Sequence, residues 1–112
     1  MNNILIAEDE TRIAAFMEKG LKKNGFQTAI ASDGEQVLSM MQSNDFDLLL
    51  LDLGLPVKDG WQVLQELKNQ GNEIPIIVVS AYDNPEPTEE TSNYVTKPFR
   101  FQDLLERIKS NL

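Results

Sequence analysis

The sequence predicts an α/β fold: a doubly wound, parallel sheet with helices on both faces. Three observations carry this. Leu48 to Leu51 is an unbroken apolar run ending on Asp52 and followed by Gly54 and Pro56, the pattern of a strand buried on both faces. Short apolar runs alternate along the chain with stretches whose apolar residues recur at helical spacing, which implies parallel strands and right-handed crossovers. Polar or charged residues stand directly behind the runs: Glu8 and Asp9, Asp52, Ser80 and Lys97. The carboxyl ends of strands in an open α/β sheet share one edge, where ligands bind. These residues are therefore expected to converge although they are far apart in the chain.

Each element has its own signal. Ile4–Ala7 reads as a first strand. Ile13, Phe16, Met17 and Leu21 then recur at helical spacing until Asn24 and Gly25 stop the helix. Gln27–Ala31 is a shorter, less apolar strand, as expected near an edge. Asp33 with Gln36 resembles a capping box opening a helix that buries Val37, Leu38 and Met41. Ser43–Asp47 turns into the central strand. Asp59 with Gln62 repeats the capping pattern before Val63, Leu64 and Leu67, and Gly71 closes that helix. Ile74–Val79 reads as a fourth strand ending at Ser80, with Pro75 tolerable near its start. Residues 83–92 hold Pro85, Pro87 and four acids without an apolar stripe, which predicts an irregular or one-turn segment. Tyr94 and Val95 suggest a brief fifth strand. Phe101, Leu104, Leu105 and Ile108 form a final amphipathic helix.

Composition narrows the chemistry. The 112 residues suffice for one domain, 1–112, with one core, and 41% apolar content predicts folding rather than disorder. A net charge of −8 argues against a nucleic-acid or anionic-membrane surface. There is no cysteine and no histidine, so thiolate sites, the commonest general base and a phospho-carrying imidazole are all missing from this sequence. No apolar run reaches membrane-spanning length and no leader pattern opens the chain, so a cytoplasmic location is expected.

Crowded carboxylates repel one another unless a cation joins them. All-oxygen ligation suits a hard ion, and with only two or three carboxylates on offer, water-retaining Mg²⁺ is favoured. Asp52 at the end of its strand can act as a nucleophile that forms an aspartyl-phosphate. Lys97 offers a fixed positive charge, and the Ser80 hydroxyl and the N–H groups of Leu53, Gly54 and Ala81 offer donors. Positioning and electrostatics are most of what phosphoryl transfer requires. Taken singly, each residue has a plainer reading: a solvated turn at Glu8–Glu10, a strand-end cap at Asp52, a turn serine at Ser80, a surface lysine at Lys97. Their joint placement behind four strands favours the site.

These residues resemble those of a response-regulator receiver domain of two-component signalling, from Asn3 to about Ile108. The resemblance rests on Glu8-Asp9, on Asp52 with Pro56 and Gly60 behind it, on Ser80-Ala81 and on Lys97-Pro98-Phe99. It implies a five-stranded parallel sheet in the flavodoxin-like order 2-1-3-4-5. It further implies a signalling phosphoacceptor rather than an enzyme, with its own autophosphorylation and dephosphorylation chemistry. Asp52 resembles the phosphoacceptor. Asp9, Asp52 and the Gly54 carbonyl resemble Mg²⁺ ligands, with Glu8 acting through water. Ser80 and Lys97 resemble phosphate ligands, Pro98 follows a cis peptide, and Ser80 and Tyr94 resemble the switch pair. The implied partner is a sensor histidine kinase or a histidine phosphotransfer protein, with an output domain or downstream protein as reader.

Two departures stand out. The interval from Ser80 to Lys97 is shorter than the family's by more than one helical turn, which removes most of the fourth helix. Gly54 is unusually small for its position, which predicts an open site and a short-lived phosphorylated form. Three other readings compete. A phosphohydrolase of the haloacid-dehalogenase type needs a second aspartate where Gly54 stands. A flavodoxin needs a hydroxyl-rich phosphate loop in place of Glu8–Glu10. A receiver-like interaction module that acts without phosphorylation is the remaining alternative.

Overall fold

The computed structural model describes residues 2–81 and 93–112. Along the chain run β1 (Asn3–Ala7), α1 (Thr11–Lys23), β2 (Gln27–Ala31), α2 (Gly34–Ser43), β3 (Leu48–Leu51), α3 (Gly60–Asn69), β4 (Ile76–Ser80), β5 (Tyr94–Thr96) and α4 (Phe101–Ser110). The strands form one sheet in the order β2-β1-β3-β4-β5, and every neighbouring pair is parallel. This is the architecture expected from the sequence.

Side chains alternate across a strand, so the buried strands feed two cores. Leu5, Ala7, Leu49, Leu51 and Val78 point to one face, under Val37 and Leu38 of α2 and Val63, Leu64 and Leu67 of α3. Ile4, Ile6, Leu48, Leu50, Ile77 and Val79 point to the other, under Met17 and Leu21 of α1 and Leu104, Leu105 and Ile108 of α4. All four leucines of β3 are buried. Burying each is worth about 1.5–3 kcal/mol, which pins the strand that delivers Asp52.

The helix ends follow their signals. Asp59 and Gln62 form a reciprocal capping box, at 2.9 Å and 3.1 Å. Asp33 accepts from the Gln36 N–H at 2.8 Å, but the Gln36 side chain reaches Ser32 instead, so that box is only half made. Gly25 and Gly71 take positive φ, 87° and 70°, just beyond α1 and α3.

Three expectations need correction. Met41 is half-buried rather than core. The fourth strand begins at Ile76, because Pro75 has no N–H for the ladder and contributes only its carbonyl, to the Leu49 N–H at 3.0 Å. Phe16 is 52% exposed, since the inner stripe of α1 is Ala14, Met17 and Leu21. The irregular segment expected over 83–92 lies outside the described residues.

Candidate functional site

Parallel pairing brings the site together. The Asp52 N–H donates to the Ala7 carbonyl at 3.0 Å, which sets Asp52 beside Glu8 at adjacent strand ends. The Lys97 N–H donates to the Ser80 carbonyl at 2.8 Å, which sets Lys97 just beyond the β4–β5 pair. The peptide bond between Lys97 and Pro98 is cis, as the resemblance implies.

The side chains then meet. Lys97 Nζ lies 2.5 Å from Glu8 Oε1 and 3.2 Å from Asp52 Oδ2. The other Asp52 oxygen, Oδ1, accepts from the Gly54 N–H at 3.1 Å. The Glu10 N–H donates to Glu8 Oε2 at 3.1 Å. Carboxylate oxygens of Glu8, Asp9 and Asp52 lie within 4.8 Å of one another. Glu8 is 2% exposed and Asp52 8%, whereas Asp9 faces solvent. The plain reading of Glu8 as part of a solvated turn therefore fails, although it holds for the exposure of Asp9 and Glu10.

Three carboxylates face one ammonium. Burial is the main reason the Glu8 pKa is raised; the hydrogen bonds from Lys97 and from the Glu10 N–H oppose it, and the charge of Asp52 reinforces it. For Lys97, burial is the largest influence and disfavours the charge. The hydrogen bond to Glu8 and the charges of Asp52 and Glu8 together outweigh it, so its pKa is raised and the ammonium stays protonated.

A cavity of about 690 Å³ opens over this cluster. Asp9, Glu10, Asp52, Gly54, Ser80, Ala81 and Lys97 line it, and Ile13, Phe16, Pro98 and Phe99 form an apolar wall. Ser80, which also lines it, is fully buried. Leu53 is buried as well. Tyr94 is half-buried and packs against the α2–α3 core. The aromatic wall went unread in the sequence. Phe16 tilts against Phe99 at 6.4 Å and meets Phe101 edge-on at 5.9 Å. The signal was the Phe99–Phe101 pair directly after Lys97-Pro98.

The donor set fits a hard divalent ion: oxygen ligands only, close enough to share one ion, with an exposed side at Asp9 for retained water.

The family model described as response regulator receiver domain matches residues 4–109. The chain belongs to that family. The receiver is 37% identical over 113 residues to response regulator RR06 of Streptococcus pneumoniae, covering 96% of this chain and 52% of the relative. It is 32% identical over 117 residues to the transcriptional regulatory protein PcoR of Escherichia coli, covering 100% and 52%. The chain thus spans about half the length of the curated relatives it matches. Among solved structures, TrrA of Thermotoga maritima in complex with Mg(2+)-BeF superposes with a TM-score of 0.90 at 30% identity, each chain covered fully. TrrA has also been solved with the histidine kinase ThkA, and that structure matches with a TM-score of 0.89. The receiver is accordingly a signalling domain of the two-component class. No helix among its described residues is long and apolar enough to cross a membrane.

Proposed function

We propose that this receiver, as one domain over 1–112, takes a phosphoryl group onto Asp52 from a phosphohistidine on a partner protein. The observation that carries the reading is the meeting of Glu8, Asp9 and Asp52 within 4.8 Å, with Lys97 Nζ 3.2 Å from Asp52. This sequence holds no histidine, so the donor imidazole lies outside these 112 residues. That TrrA has been solved with a histidine kinase supports a sensor kinase or a histidine phosphotransfer protein as the partner.

In the transfer, an Asp52 carboxylate oxygen bonds to phosphorus as the P–N bond of the phosphoimidazole breaks. The imidazole nitrogen keeps the bonding electron pair and leaves neutral when its other nitrogen carries a proton. Lys97 holds a positive charge beside the oxygen that receives the group. Ser80, Ala81, Leu53 and Gly54 supply donors for the phosphoryl oxygens. Asp9, Asp52 and the Gly54 carbonyl, with Glu8 through water, would hold Mg²⁺, which would offset the repulsion between the carboxylates and the incoming group. The Ile13–Phe16–Phe99 wall screens one side of the site from water.

Ser80 and Tyr94 form the switch: the Ser80 hydroxyl turns toward the new phosphoryl group, and the Tyr94 ring follows inward behind it. The altered surface is read by an output domain or a downstream protein in the cytoplasm. With a net charge of −8 the receiver itself is poorly suited to nucleic acid.

Incubation with acetyl phosphate and Mg²⁺ tests this. Wild type should take up one acid-stable, base-labile phosphoryl group, and Asp52→Asn none. Equal labelling of both proteins moves the acceptor off Asp52, and no labelling of either leaves the phosphate-independent interaction module; either result sinks the reading.

A further inference from the structure

The loop from Asp52 to Asp59 carries both the acceptor carboxylate and Gly54. Its far end is tightly bent. The Lys58 N–H donates to the Pro56 carbonyl at 2.8 Å across Val57, whose φ is 68°, so the backbone makes a γ-turn centred on a β-branched residue. That conformation is strained for valine. The Val57 side chain is 74% exposed, so its own packing does not hold it there.

The restraint comes from either side. The Pro56 carbonyl accepts a second hydrogen bond, at 3.3 Å, from the Gly34 N–H at the start of α2. Lys58 Nζ donates to both Glu66 oxygens on α3, at 2.8 Å and 2.7 Å, and lies 3.3 Å from Glu35 Oε1 on α2. A Cβ at Gly34 would run into the Lys58 carbonyl, so glycine is what lets the helix end seat against the loop.

We infer that Lys58 is a positioning residue for the cation and phosphoryl site, fastening the loop behind Asp52 to α2 and α3 at once. This rests on the reading of Glu8, Asp9 and Asp52 as that site. Without the ammonium, Glu35 at the start of α2 and Glu66 in the second half of α3 lose the cation they share, and the two carboxylates repel. The strained turn then has one anchor fewer, and the backbone through Gly54 shifts with it. Mg²⁺ demands near-ideal geometry, so a shift of a few tenths of an ångström weakens ion binding well before it unfolds the domain. The effect on global stability is small, because these ion pairs are partly exposed.

The test is calorimetric titration of the full chain with MgCl₂ at about 0.15 M salt, with thermal melts of the same samples without metal. Lys58→Met keeps the stem and drops the charge. It should weaken Mg²⁺ binding by about tenfold, the low end of the loss when a partner behind a metal site is removed, while the melting temperature stays close to wild type. The sign discriminates, because deleting a cation near an acidic site would strengthen Mg²⁺ binding by charge alone. Lys58→Arg, which keeps the charge and its acceptors, should restore it, and Lys58→Gln replaces the Met variant if that one does not fold. Binding by Lys58→Met within twofold of wild type, or tighter, overturns the positioning role alone. A wild type that binds no Mg²⁺ overturns the functional reading with it.

Discussion

Lys97 and Glu8, 89 positions apart, form an ion pair at 2.5 Å, and the Glu8 side chain in it is almost fully buried. Burial raises the Glu8 pKa above its ordinary 4.5. Folding therefore favours the protonated form, and the native state holds more proton than the unfolded chain between pH 4.5 and the raised value. Stability accordingly falls as pH climbs through that window. Lys97 acts in the same direction at the alkaline end of the scale. Its pKa is raised above 10.5, so its contribution is complete below pH 10.5 and is lost as pH rises through the folded value. Urea unfolding without divalent ions, compared between wild type and Glu8→Gln from pH 4 to 8, should show a decline in wild type that the variant lacks. Parallel curves would contradict the assignment.

Gly54 lines the cavity and gives its N–H to Asp52 Oδ1. A larger side chain here narrows the approach of water to a phosphoryl group on Asp52. Gly54→Met should lengthen the half-life of the phosphorylated protein several-fold without lowering the extent of labelling by acetyl phosphate. An unchanged half-life removes the open-site explanation.

Gly60 opens α3 directly beneath the acceptor strand. A Cβ there would lie 2.6 Å from Leu53 Cα and 2.7 Å from the Asp52 carbonyl oxygen. Both neighbours are backbone and cannot swing aside. Gly60→Ala should cost about 1–3 kcal/mol, as overpacking does, read as a lower midpoint in urea. A midpoint equal to wild type would show that the loop yields more easily than the geometry implies.

Val57 invites the opposite change. Its φ of 68° costs a β-branched residue about 1–3 kcal/mol, against about 0.5–1 kcal/mol for the extra freedom glycine has when unfolded. Val57→Gly should raise stability slightly, by about 1 kcal/mol or less. A loss of stability would mean that the exposed valine makes contacts its 74% exposure does not suggest.

Much of this was legible from residue pattern alone. Leu48–Leu51 announced a doubly buried strand, and the caps at Asp33 and Asp59 marked two helix starts to the residue. Glu8, Asp9, Asp52, Ser80 and Lys97 were recognisable because each directly follows an apolar run, and parallel pairing turns that local fact into proximity. What escaped notice depends on three-dimensional placement. Phe16 fits the helical stripe by spacing, yet the buried stripe of α1 is Ala14, Met17 and Leu21, and Phe16 stands beside Phe99 in the cavity lining. Lys58 sat inside a motif read for its Asp, Pro and Gly, and its partners Glu35 and Glu66 belong to two different helices. No periodicity encodes the γ-turn at Val57, whose residue type argues against it.

The three-residue β5 has a further consequence. It is an edge strand, paired to β4, and Lys97, the ammonium of the site, directly follows it. Short border elements open most readily, so detachment of this ribbon would withdraw the charge while the leucine-rich centre stays shut. Amide exchange should then be faster at Val95–Lys97 than at Leu49–Leu51, and faster still in Lys97→Met. A domain whose competence hangs on its least protected strand can lose function by local fraying long before it melts.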